Sequence, residues 1–133
     1  MTSTTYTPEM AHAAAQRGAR WLDKRCPNWF REIDLARLDL RSGTACVLGQ
    51  TAQCLLPEDD RPADADFEFV MDHYAPWAGS RWARRLGFEI PTVGGMAFDD
   101  VYRERERETW WEMLTIAWRE IIRERLAAES VVA

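Results

Sequence analysis

The sequence contains very little lysine: Lys24 is the only one among 17 basic residues, and the others are arginines. This bias, with abundant alanine, indicates a GC-rich coding genome. The sequence also lacks any apolar run close to the roughly 20 residues that cross a bilayer. Its first residues lack the charged and apolar regions of a signal peptide. We therefore expect a cytoplasmic protein that does not enter a membrane.

Motifs of common catalytic and cofactor sites are missing as well, including glycine-rich phosphate loops, HExxH and GxSxG. The three cysteines, Cys26, Cys46 and Cys54, form no CxxC pair, so we expect three reduced thiols and no zinc site. Cys46 lies in an apolar segment, where burial raises a thiol pKa, and this disfavours a nucleophilic pair with His73. We predict no catalytic residue, no bound metal and no cofactor.

The composition fits one globular domain. Hydrophobic residues make up 47% and charged residues 29% of 133 residues, and the net charge of −5 gives no bulk attraction to nucleic acid. We predict a single all-α domain of five to six helices with irregular loops and a long C-terminal helix. The domain is expected over 7–128, with an acidic loop at 57–66, a flexible N-terminus at 1–6 and a tail at 129–133.

Capping residues and hydrophobic periodicity place the main helices. Thr7-Pro8 is a helix start, and Pro27 ends the helix near Arg25. A buried helix is predicted over 45–56, with its cap within 42–44. The longest helix is expected to begin at Asp99-Asp100 and to end near Ala128. Its core stripe contains large apolar residues at helical spacing: Trp110, Leu114, Ala117, Trp118 and Ile121.

A repeated hydrophobic-Asp-Leu unit followed by CVLGQ is the most distinctive segment. We interpret its residues as structural: Ile33, Leu35, Leu38, Leu40, Cys46, Leu48 and Gly49. Together with Gly18–Asp23, Pro27-Asn28-Trp29, Leu86-Gly87-Phe88 and Leu114–Trp118, it resembles small proteins of unassigned function from actinobacterial phages and their hosts. Gly43 stands where that group often carries a second cysteine. The resemblance implies a phage-accessory role and no particular activity.

Two surfaces are candidates for binding. On the long helix, Trp111, Met113 and Ile116 lie off the core stripe. They are predicted to be covered by the region 77–88 of the same chain, by a second copy of the chain, or by a host or phage protein. Arg103 and Arg107 are expected at the edge of that contact, or against the acidic loop, or simply in solvent. The alternative is a DNA-associated regulator that uses a basic and aromatic segment: Arg81, Trp82, Arg84 and Arg85. We favour a non-enzymatic interaction module, and a small enzyme of unidentified class is the third hypothesis.

Overall fold

The computed structural model describes residues 7–60, 62–75, 80–88 and 101–132, where all regular structure is helical. The α-helices are α1 (Pro8–Arg25), α2 (Val47–Leu55), α3 (Phe67–Tyr74), α4 (Ser80–Arg85) and α5 (Val101–Val132). Short 3-10 helices cover Trp29–Glu32 and Glu58–Asp60. The all-α prediction is confirmed. Four described helices have eight residues or more, slightly fewer than the five to six expected.

The first helix, α1, begins and ends where its sequence predicts. The hydroxyl oxygen of Thr7 accepts a hydrogen bond from the backbone N–H of Met10 at 3.2 Å, and Pro8 occupies the first turn. Its buried face consists almost entirely of small residues: Ala11, Ala14, Ala15, Gly18, Ala19 and Leu22. Met10 itself is 45% exposed and does not belong to that face. The small residues allow another helix to approach closely.

That neighbour is α5, which makes its most extensive helix contact with α1. The predicted stripe of α5, from Trp110 to Ile121, is buried in the core. The helix also continues to Val132, past the predicted end near Ala128 and through most of the expected tail. Within this extension, Glu129 pairs with Arg31, with a closest N···O distance of 2.7 Å.

The segment between α1 and α2 folds through side-chain caps. Asp34 and Asp39 each accept a hydrogen bond from a backbone N–H two residues later, at 3.0 Å. The N-cap of α2 is Cys46, whose sulfur accepts the N–H of Gly49 at 3.3 Å. The cap therefore lies later than the predicted 42–44. Side chains within these turns accept the backbone N–H groups of the same turns. The helix therefore begins only after the last turn.

The signature residues pack into the core. Leu48 is fully buried, and six of the seven are buried or packed against the buried cluster: Ile33, Leu35, Leu38, Leu40, Cys46 and Leu48. Gly49 is only partly buried, but its position is crowded by backbone. A Cβ atom there would lie 2.3 Å from the carbonyl oxygen of Gly43 and 2.7 Å from the carbonyl carbon of Thr44. The CVLGQ segment is therefore an internal packing element.

The expectation of three reduced thiols is wrong. Cys26 and Cys54 form a disulfide across a Cα–Cα distance of 5.9 Å, and Cys46 is the free cysteine. Cys26 is the C-cap of α1, and Cys54 lies in the last turn of α2, so the bond joins the ends of two helices. Disulfides are typical of oxidising compartments. The cytoplasmic localisation accordingly stays a prediction from sequence.

Replacing Gly49 by alanine should destabilise the protein although alanine is normally the better helix residue. The added methyl meets backbone atoms that cannot move aside, and overpacking of this kind costs about 1–3 kcal/mol. Gly43→Ala is the matched control, because its Cβ would meet only the Asp66 side chain at 3.5 Å or more. Urea denaturation should show a lower free energy of unfolding for Gly49→Ala and little change for Gly43→Ala. Equal stability of the two variants would show that the close packing of α2 against the backbone at 43–44 does not require glycine at position 49.

Removing the disulfide should lower the free energy of unfolding by about 3–4 kcal/mol, because a bond closing about 28 residues restricts the unfolded chain. The comparison is the parent against Cys26→Ala/Cys54→Ala, each denatured with and without dithiothreitol. Reductant should destabilise the parent and leave the double variant unchanged. A parent insensitive to reductant would contradict a contribution of the disulfide to stability.

Candidate protein-interaction surface

The environment of Cys46, the cysteine outside the disulfide, fits a structural role. Cys46 is buried, and burial raises its pKa from the ordinary thiol value to about 11. The sulfur caps α2 instead of facing a groove. His73, its hypothetical catalytic partner, is exposed and packs its ring edge-on against Tyr74. A thiol held protonated and occupied as a helix cap is a poor nucleophile.

The acidic segment before α3 also has a local explanation. Asp66 is the N-cap of α3, and its carboxylate accepts the backbone N–H groups of Glu68 and Phe69 at 3.1 and 3.3 Å. The Asp66 carboxylate is therefore accounted for as a helix cap. Within the described residues, no group of three or more His, Cys, Asp or Glu side chains is arranged to hold a metal ion.

The basic and aromatic segment lies on α4. Trp82 is half-buried, with its ring centroid 5.0 Å from that of Trp21 and 5.7 Å from that of Phe88. Arg85 is exposed, and its carbonyl oxygen accepts a hydrogen bond from Arg17. At Arg81, Arg84, Arg103 and Arg107 the structure describes the helix but not the side chains. Trp82 contributes to packing, and the DNA-binding alternative stays a prediction.

The structure places the three apolar candidates of α5 differently from one another. Trp111 and Met113 are half-buried and pack against the core, so the chain itself supplies part of the cover that their positions require. Ile116 is 57% exposed, more than any other large hydrophobic residue that the structure describes. We call these three residues the Ile116 face. It adjoins two open grooves, and Ile116 forms a wall of both.

The first groove separates α5 from the turn at 38–41, and we call it the loop groove. Its volume is about 540 Å³. Leu38, Leu40, Trp111 and Ile116 are its apolar lining, together with several charged residues on its rim. Leu38 and Leu40 were interpreted as structural residues, and they are buried. They also form the side of the groove opposite α5.

The second groove lies between the start of α1 and the middle of α5, and we call it the N-terminal groove. Its volume is about 420 Å³. Pro8, Ala13, Met113 and Ile116 contribute apolar surface, and Ala117 lies on the same wall. The two grooves thus run along opposite flanks of one exposed isoleucine. A partner that covers Ile116 would have an apolar cleft available on each side.

Sequence reasoning missed the charged part of this surface, although a signal for it was present. Ile116 interrupts a series of glutamates spaced four residues apart along α5: Glu108, Glu112, Glu120 and Glu124. All four are exposed. Residues four apart lie on neighbouring turns of a helix, so a single isoleucine in such a series stands among carboxylates. The groove walls contributed by α1 and by the turn at 38–41 could be identified only from the tertiary structure.

Two global observations complete the description of the chain. Among the described residues, none of the helices combines the length and apolarity needed to cross a membrane. Comparison of the chain with protein families, with curated proteins and with solved structures finds no match in any of the three. The surface around Ile116 is therefore interpreted from its own geometry and charge.

Counting thiols tests the assignment of all three cysteines. Under native, non-reducing conditions at pH 8, Ellman's reagent should react slowly, because Cys46 is buried and its pKa is about 11. In guanidinium chloride without reductant, one thiol per chain should react, since the other two cysteines are bonded. Cys46→Ala is the control and should give none. Three reactive thiols in guanidinium would contradict the disulfide, and fast native reaction would contradict the burial of Cys46.

Proposed function

We propose that the chain is a small, non-enzymatic protein-interaction module that binds another protein through the Ile116 face. The observation that carries the proposal is the position of Ile116, which is 57% exposed at the common wall of two grooves. Single exposed apolar residues are ordinary on protein surfaces. Here the exposed residue is continuous with two partly buried apolar side chains and with apolar groove walls, which is typical of contact sites.

The scaffold beneath this face also supports the proposal. Leu114 and Trp118 on the opposite side of α5 are buried, so the helix is held firmly against α1. A preorganised surface loses little conformational entropy when a partner binds, and more of the contact energy then appears as affinity. A central apolar side chain beside clefts that accept partner groups is the usual arrangement of an interface hot spot.

The resemblance to phage and host proteins of actinobacteria supports a search for the partner in that setting. A phage-accessory role is part of what we propose. Affinity capture with the full chain from phage-infected actinobacterial cells, followed by mass spectrometry, supplies a candidate partner whose binding can then be measured with purified protein.

Replacing Ile116 by glutamine should weaken that binding by at least about tenfold, as loss of a central interface residue does. The free energy of unfolding should change by less than about 1 kcal/mol, because the residue is largely in solvent. Phe69→Gln is the matched control: Phe69 is 47% exposed on α3 and lines neither groove. Binding and urea denaturation are measured for both variants.

Two results would contradict the proposal. A loss of about 2 kcal/mol or more in unfolding free energy for Ile116→Gln would make Ile116 part of the chain's own packing. Binding that survives Ile116→Gln and is lost in Phe69→Gln would place the contact on α3.

A further inference from the structure

The rims of both grooves carry an excess of negative charge. Three exposed carboxylates border the loop groove, from Asp39, Glu108 and Glu112, and Arg41 is the basic residue there. The N-terminal groove is bordered by Glu9 and Glu120, and its described lining contains no lysine or arginine. Among the described residues that line the two grooves, five acids thus stand against one arginine.

These carboxylates are not neutralised by the described part of the chain. The ion pairs found there join Arg31 to Glu129 and Arg125 to Asp23, which lie outside both grooves. The glutamates at 108, 112 and 120 are spaced over 12 residues of α5, or about 18 Å along the helix axis. That length corresponds to about three turns of a second helix.

On the basis of the proposed function, we propose that the Ile116 face binds a basic amphipathic segment of another protein. In this arrangement an apolar side chain of the partner enters a groove beside Ile116, while arginines or lysines meet the acidic rim. The recognition is the helix-in-groove type, in which apolar anchors supply affinity. Opposite charge around the anchor supplies orientation and a faster encounter.

A second copy of the chain is a poorer match for this surface. A two-fold dimer would place the same face against itself, and each acidic rim would then meet another acidic rim. The net charge of −5 adds general repulsion between copies. The homo-oligomer prediction is therefore the less favoured of the two partner types.

The chain's own residues 89–100 are also a poor chemical match for the rim. They contain three acids, Glu89, Asp99 and Asp100, and no basic residue. A segment of that composition brings like charge to an acidic rim. Charge complementarity therefore favours a basic partner over this acidic segment.

Peptide selection tests the charge of the occupant without assuming its identity. A display library of random peptides about 16 residues long, enough for a helix of about 24 Å, is selected on the full chain. Peptides that also bind Ile116→Gln are removed. We expect the remaining sequences to carry a net positive charge and at least one large apolar residue at helical spacing.

Variants then test the rim itself with one selected peptide. Glu9→Gln/Glu112→Gln/Glu120→Gln should weaken its binding about tenfold in low salt, and added salt should reduce the difference, since exposed ion pairs are individually weak and screened. Glu58→Gln/Glu68→Gln/Asp72→Asn is the control, because these exposed acids lie outside both grooves. It should bind like the parent.

The alternative outcomes separate the two proposals. Selected peptides that depend on Ile116 but are neutral or acidic, or that ignore the rim variants, would overturn the basic partner and leave the interaction surface standing. A selection that yields no peptide dependent on Ile116 would overturn both. Light scattering that shows a dimer of the parent and a monomer of Ile116→Gln would replace the basic partner with a second copy.

Discussion

The indole ring of Trp118 is the contact on which the rest of the structure depends. It is fully buried, stacks on Phe88 with 5.5 Å between ring centroids, and meets Trp29 edge-on at 5.7 Å. Its N–H donates to the carbonyl oxygen of Gly87 at 2.8 Å, so the polar edge of the ring is satisfied inside the core. One side chain of α5 thereby joins the 3-10 turn at Trp29 to the chain that follows α4.

This contact requires the small face of α1. A Cβ atom at Gly18 would lie 2.9 Å from the Trp118 ring and 2.1 Å from the carbonyl oxygen of Leu86. Gly87 has a φ of +75°, which glycine adopts easily, and its Cα also faces the backbone of α1. Because these two glycines have no side chains, α5 and the end of α4 can pack closely against α1. The orientation of α5 then determines which of its side chains remain outside, and Ile116 is the most exposed large apolar residue among those that the structure describes.

Local signals in the sequence predicted the elements well. The Thr7 cap, the end of α1 before Pro27 and the buried stripe of α5 all follow from interactions within a few residues, which sequence spacing records directly. Beyond the predicted end of α5, Glu129 pairs with Arg31, nearly a hundred residues away. A long-range ion pair leaves no trace in local periodicity.

The disulfide and the grooves likewise depend on tertiary contacts that local sequence spacing does not record. Cys26 and Cys54 end two different helices, and only the packing of α2 near the end of α1 brings them together. Trp111, Met113 and Ile116 share one pattern in the sequence, yet neighbouring elements partly bury the first two and leave the third exposed. The glutamate series around Ile116 was local and readable, but its meaning depended on the two walls that other segments provide.

The free energy of unfolding of Gly18→Ala tests the central role of the Trp118 contact most directly. Alanine in the middle of an ordinary helix stabilises it by about 1 kcal/mol relative to glycine. If α1 must approach Trp118 and Leu86 as closely as the structure shows, the added methyl has no space, and the variant should lose about 1–3 kcal/mol. A gain in stability near 1 kcal/mol would instead contradict the close approach on which the arrangement of α1 and α5 depends.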